Sequence, residues 1–341
     1  MHIQYNVPLN EFSTMHLGGN AKQLIIISSK DELLQAIMHA QAEKLPLFVM
    51  GGGSNMIVRD EGFDGLVIVN RIPGFNIDGE DENHVTIKIG AGENWDDIVA
   101  RCVDMNLSGI EAMSLIPGTT GATPVQNVGA YGQEIADTLV EVEAYDILTF
   151  GFVRLLKEEC QFSYRNSIFK ATADRRYIIT GITIDLKKAR PQPPFYGSLQ
   201  KYFEDNGVDP NNVSPADVRK AVIAIRTSKL PDPKVIFNTG SFFKNPIVDA
   251  TTAQRLLDKY PNMPNFPGKD GHVKLAAGWL IEQSGLKGYA KYGMKTYEQN
   301  ALVLVNDGAS SYADLAAFRD EIISIVEQKF GVTLEQEPEL L

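Results

Sequence analysis

The chain has 341 residues, 44% of them hydrophobic, and a formal net charge of -11 at pH 7. That length and apolar content allow sizeable cores in two or three domains. So acidic a chain lacks the broad basic face of a nucleic-acid reader, and any anionic substrate must meet locally clustered cations. The N-terminal MHIQYNVPLNEF shows neither the basic segment nor the apolar core of a secretory signal, and no apolar run approaches a membrane span. A cytoplasmic protein without membrane contact is expected. Cys102 and Cys160 lack CxxC or Cys-His spacing and the five histidines are scattered, so two reduced structural thiols and no metal site are expected.

In chain order, residues 23–28 (QLIIIS) have the apolar run of a short buried strand. Ser29 followed by Glu32 forms a capping box, and Leu33, Leu34, Ile37 and Met38 recur on one helical face through Lys44. A strand over 45–50 runs straight into Gly51, Gly52, Gly53, Ser54 and Asn55. Neither familiar nucleotide fingerprint fits: Met56 holds the position of a third Rossmann glycine, and the Gly-Lys-Ser/Thr of a Walker loop is missing. Strands at 66–70 and 85–90 follow, then a helix whose Trp95, Ile98, Val99, Cys102 and Val103 share a face.

Residues 114–132, SLIPGTTGATPVQNVGAYG, contain no Lys, Arg, Asp or Glu and carry four glycines. Glycine lets backbone approach a ligand, Pro117 and Pro124 stiffen the path, and amides can then face an anion such as a pyrophosphate. A tightly turned surface connection is the alternative. Strands over 139–148, with Val140, Val142 and Ala144 alternating, and over 177–186 complete a region up to about residue 190. It reads as two α/β lobes able to hold a long cofactor between the Gly51 loop and residues 114–132.

The proline-rich ARPQPPFYGSL marks a boundary. Ser214 caps a helix with Pro215 in its first turn and Val218, Val222 and Ile225 on its stripe. Residues 229–246, KLPDPKVIFNTGSFFKNP, mix turn residues with Phe237, Phe242 and Phe243, the pattern of a loop pinned in place. Helices at 250–260, 275–283 and 311–330 and a strand at 301–306 complete a second α/β module. Leu315, Phe318, Ile322, Ile325 and Val326 form the seam of the last helix, with Gly331 as its C-cap. The tail VTLEQEPELL reads as a strand with Glu335, Glu337 and Glu339 on one face.

Three places could carry chemistry. Arg165, beside Asn166 and Ser167, has the planar fork that suits a carboxylate or phosphate, although arginines in such turns also tie down loops. Ser241 lies between Gly240 and two phenylalanines; with no GxSxG elbow it suits proton donation to a strongly basic carbon or oxygen, or an ordinary turn. One buried member of the glutamate trio would have a raised pKa and could act as an acid. Lys229 and Lys244 flank the serine segment as candidate cations.

At these residues the sequence resembles the UDP-N-acetylenolpyruvoylglucosamine reductases, flavoenzymes that make UDP-N-acetylmuramate for bacterial cell walls. The motifs stand in family order: GGGSNMIV at Gly51, IPGTTGATPVQNVGAYG at Ile116, YRNSIF at Tyr164, LPDPKV before NTGSFFKNP, KLAAGWLIEQSGLKG at Lys274, NALVLVN at Asn300 and LEQE at Leu334. The resemblance implies an α+β protein: a two-lobed PCMH-type (vanillyl-alcohol-oxidase-like) FAD-binding domain over 1–190, split near residue 70, and a separate α/β substrate-binding domain over 191–341 whose C-terminal strand returns to the active site. It implies noncovalent FAD, NADPH as hydride donor, the enolpyruvyl UDP-sugar as substrate and a monomer.

By the same resemblance, FAD contacts fall on Gly51, Gly52, Gly53, Ser54, Asn55 and Met56, and on Pro117, Gly118, Thr119, Gly121, Ala122, Gln126, Asn127, Gly129, Ala130 and Tyr131. Arg165 would stabilise the enolate formed by hydride transfer, Glu337 would assist if protonated, and Ser241 would donate the closing proton; Glu339 is the alternative acid. Substrate binding carries over to Tyr196, in a segment like the tyrosine loop of one family type, and to Lys229, Asn245 and Asn300. Asn300 replaces the glutamine of some members, and the chain stops at Leu341. Another flavin oxidoreductase on this scaffold, or a noncatalytic FAD or sugar-nucleotide binder, are the other readings.

Overall fold

The computed structural model describes residues 2–170 and 175–341. The chain divides into two compact units: Met1–Val7, Ala21–Gly52 and Asp64–Ser228 form the first, and Pro8–Asn20, Gly53–Phe63 and Lys229–Leu341 the second.

In the first unit one sheet has the order Gln4–Pro8, Asn20–Ile27, Phe63–Asn70, Leu47–Met50. The last two strands are parallel, Leu47 opposite Leu66 and Met50 opposite Val69. Between strands in sequence lies the helix Lys30–Ala42. Ser29 accepts from Glu32 N at 3.1 Å, but the Glu32 carboxylate reaches past it to Ser28 N, so only half of the expected capping box forms. The buried face is Leu33, Ala36, Ile37 and Ala40, and Met38 is 68% exposed. Two alanines let the helix pack closely, which rotates Met38 off the face that its neighbours suggested.

The second sheet is antiparallel in the order Gly151–Leu156, Leu139–Asp146, Tyr177–Lys187, His84–Gly90, Phe75–Glu80. Leu139–Asp146 is thus an interior strand, paired on both edges, although the alternation of Val140, Val142 and Ala144 suggests an exposed one. A register shift between Leu139 and Glu141 carries Val140 out to solvent while Val142 and Ala144 stay buried. Helix Trp95–Asp104, capped by Asn94, buries Trp95, Ile98, Val99, Cys102 and Val103 in this sheet's core. Cys102 and Cys160 are buried and unpaired with each other, and burial pushes both thiols up to about 12, leaving them inert at neutral pH.

The boundary expected near 190 falls instead after Ser228. Helix Gly197–Asp205 and helix Pro215–Lys229 place Leu199, Phe203, Val218, Val222 and Ile225 in one cluster with Ala112. Proline ends the preceding strand there without ending the domain, because the apolar stripes that follow fold back onto the first unit.

The second unit has a sheet of order Asn238–Ser241, Asn300–Asn306, Met294–Tyr297, Ala290–Lys291, and a smaller one of order Ile247–Val248, Val273–Leu275, Asn265–Pro267. Helix Tyr312–Phe330, with a full capping box at Ser311 and Asp314, buries Leu315, Phe318, Ile322, Val326 and Phe330 beside Phe242, Phe243, Leu280 and Ile281. The tail is not the continuous strand expected. Gln336 bridges Phe243, whereas Glu339–Leu340 forms a parallel ladder with Met56–Ile57. Buried Pro338 interrupts the pairing, so Glu335 is exposed while Glu337 and Glu339 are half-buried in different surroundings.

Candidate functional site

Within the first unit, Gly51 and Gly52 meet the long uncharged loop. A Cβ on Gly51 would lie 2.1 Å from Thr119 Oγ1, and one on Gly52 would lie 3.0 Å from Gly118 Cα. Only glycine permits this backbone approach, and it leaves a strip of main chain where side chains are excluded. The loop's first half is stitched to the segment ahead of the Trp95 helix: Trp95 N donates to Gly118 O at 3.1 Å, Thr120 N to Glu93 O at 2.8 Å and Gly121 N to Ala91 O at 2.9 Å. Such a bare, rigid, uncharged cradle fits the extended pyrophosphate of a dinucleotide such as FAD.

The second half of the loop is held by the YRNS turn. Arg165 Nη2 donates to Gly129 O at 3.0 Å, and Ser167 Oγ to Val125 O at 2.6 Å. Arg165 itself has φ 53°, a left-handed conformation costly for arginine, and its guanidinium lies over the Tyr164 ring. Asn127 donates to the Glu134 carboxylate at 2.7 Å and accepts from Ala136 N at 3.2 Å, fixing the Gly129–Ala130 hairpin. Tyr131 meets Tyr196 edge to face, centroids 5.9 Å apart, and both border a cavity of about 780 Å³ with Glu111, Gln133 and Phe195. Tyr196 is 44% exposed at the start of helix Gly197–Asp205.

Several cations here carry no sequence motif. Arg226 hydrogen-bonds Tyr131, and burial holds its guanidinium below the usual arginine value. Arg219 makes a bidentate pair with Asp96 at 2.5 and 3.1 Å, and Asp96 also accepts from Leu115 N at 2.6 Å. The Arg219 hydrogen bonds and Leu115 N, outweighing burial, hold the Asp96 carboxyl below its ordinary value. Arg71 Nη1 donates to Gly51 O at 3.0 Å and to Asn70 O at 3.1 Å. A hint existed only in composition: an acidic chain must place its few cations locally.

In the second unit Ser241 ends the strand Asn238–Ser241, opposite Val303. The Asn238 side chain braces the turn, accepting from Gly240 N at 2.8 Å and donating to Ile236 O at 2.7 Å. Phe242 and Phe243, fully buried, anchor the next residues. Ser241 Oγ makes no hydrogen bond among the described residues, so its proton is free for a ligand. The tail runs alongside: Glu337 N donates to Phe242 O and Lys244 N to Glu335 O, both at 2.9 Å. Glu337 is therefore one register step from Ser241, whereas Glu339 N binds Asn55 O at 3.0 Å beside Met56. Lys244 pairs with Glu335, while Lys229 is exposed at its helix end. Asn245 Oδ1 accepts from Ala277 N at 2.9 Å, and Asn300 Oδ1 from Leu302 N at 3.2 Å. Gly53, Ser54, Asn55 and Met56 belong to this unit and Gly51 and Gly52 to the first.

Comparison with known proteins accounts for nearly the whole chain. Residues 21–147 match a family model described as an FAD binding domain, and 232–341 one described as the UDP-N-acetylenolpyruvoylglucosamine reductase C-terminal domain. The UDP-N-acetylenolpyruvoylglucosamine reductase of Chromobacterium violaceum is 39% identical, covering 100% of this chain and 99% of its own, and that of Cupriavidus pinatubonensis 42%, covering 98% of each. The crystal structure of the Thermus caldophilus reductase matches at a TM-score of 0.69 and 24% identity, over 100% of this chain and 99% of that one, a likeness of fold. The fold class is α+β, a two-lobed PCMH-type FAD-binding domain with a further α/β domain. This chain belongs to the UDP-N-acetylenolpyruvoylglucosamine reductase family.

Proposed function

We propose that the protein is an FAD-dependent reductase that converts the enolpyruvyl ether of UDP-N-acetylglucosamine to UDP-N-acetylmuramate for peptidoglycan synthesis, with NADPH as hydride donor. The observation that carries this reading is the end-to-end match to reductases of that name. FAD, held noncovalently, supplies hydride transfer to the vinyl carbon. The chain's residues do the rest. The Gly51 and Gly118 backbones seat the pyrophosphate, and residues 126–131 line the path toward Arg165. Arg165 neutralises negative charge that develops on the substrate carboxylate, and Glu337, when protonated, assists at the same group. Ser241 delivers the proton to the adjacent carbon, a base strong enough for so weak an acid. Tyr196, Lys229, Asn245 and Asn300 hold the sugar nucleotide. The enzyme works in the cytoplasm as a monomer; among the described residues no helix is long and apolar enough to cross a membrane.

The test is an anaerobic visible spectrum before and after NADPH, then after the enolpyruvyl UDP-sugar. A yellow band that bleaches and then returns is the expected result. A band that bleaches and stays bleached would assign another acceptor, and no band after added FAD would remove the flavin reading.

A further inference from the structure

Arg71 follows the strand Phe63–Asn70 and reaches the first glycine of the Gly51 loop. Its hydrogen bonds go to two main-chain carbonyls, Gly51 O and Asn70 O, and among the described residues it has no carboxylate partner. In a chain of net charge -11 several cations of the first unit are neutralised by carboxylates, Lys22 by Asp64, Lys30 by Glu143, Lys88 by Asp78, Arg176 by Asp146 and Arg219 by Asp96, whereas Arg71 is turned to the backbone of the glycine loop. One guanidinium nitrogen is used on the loop and the rest of the fork is open. The loop that it tethers brings no charged side chain of its own: Gly51 packs on Thr119 and Gly52 on Gly118. Although exposed, the guanidinium is partly desolvated, which lowers its pKa and strengthens any anion contact.

We infer that Arg71 is the cation of the cofactor's pyrophosphate subsite, tethering the Gly51 loop through one nitrogen and meeting a phosphate oxygen with the others. The inference rests on the FAD reading above and adds a residue to it. An arginine suits the role because its fork satisfies a carbonyl and a phosphate together.

The experiment uses the full chain, stripped of flavin by dialysis, and measures binding of FAD, FMN and riboflavin by fluorescence at low and high salt. Arg71→Met should weaken FAD about tenfold or more while riboflavin, which has no phosphate, changes by less than about twofold. Arg71→Lys should recover most of the FAD affinity at low salt, and the salt dependence of FAD binding should be shallower in Arg71→Met than in the parent. Equal weakening of all three flavins would make Arg71 a prop for the loop's shape and overturn the inference, as would unchanged FAD binding. A parent chain that bound no flavin would instead remove the FAD reading itself. The thermal upshift produced by each flavin gives the same ranking independently, so a variant that is merely less stable is recognised.

Discussion

In the proposed reaction Ser241 is the weak acid, and its surroundings can be read at the residue level. Its strand ends at a turn braced by Asn238, its two neighbours are locked in the core, and its hydroxyl is left without a partner among the described residues. Replacement by alanine removes an oxygen and no packing, so folding and flavin binding should survive. Ser241→Ala should be reduced by NADPH at the parent rate but reoxidised by the enolpyruvyl substrate about 100-fold or more slowly, followed by stopped-flow absorbance. Loss of both half-reactions together would remove the proton-donor role. Arg165 differs in that its side chain serves two purposes: its turn and its bond to Gly129 O shape the loop that it borders. Substitution there should depress both half-reactions, because a displaced loop also displaces the flavin. Residue type and neighbours single out Ser241 and Arg165 as candidates, whereas nothing local distinguishes Arg71 and Arg226 from solvated arginines.

At the level of elements, the helices were legible in detail where large apolar residues set the face, as in Trp95–Asp104. They were misjudged where alanines did, as at Met38. The C-terminal tail shows the limit most plainly. Alternating glutamates suggested one extended face, but Pro338 splits the segment into a bridge to Phe243 and a parallel ladder on Met56–Ile57. Three backbone hydrogen bonds secure that ladder: Glu339 N to Asn55 O, Arg59 N to Leu341 O and Leu341 N to Ile57 O. Ending the chain at Pro338 removes all three and the half-buried Leu340, and should lower the second unit's stability by about 2–4 kcal/mol, read by urea denaturation. A change within about 0.5 kcal/mol would mean that the ladder is ornamental.

For the whole molecule, a ligand that binds only the folded chain must raise its stability. FAD at a hundred times its dissociation constant should add about 2.7 kcal/mol, and removing it should lower the unfolding midpoint in proportion to the logarithm of its concentration. Calorimetry over a range of FAD concentrations checks this, and a midpoint indifferent to FAD would contradict binding to the native state. The chain alone determined many of the strands and helices, the uncharged glycine loop, and, through motifs in order, the family. These depend on periodicity, caps and residue types within a few positions of each other. Tertiary structure decided that residues 191–228 join the first unit, that Arg71 reaches Gly51, and that Glu337 lies beside Phe242 while Glu339 lies beside Met56. Those outcomes depend on contacts between residues far apart in the chain, where burial and backbone pairing choose among partners that local sequence leaves equivalent.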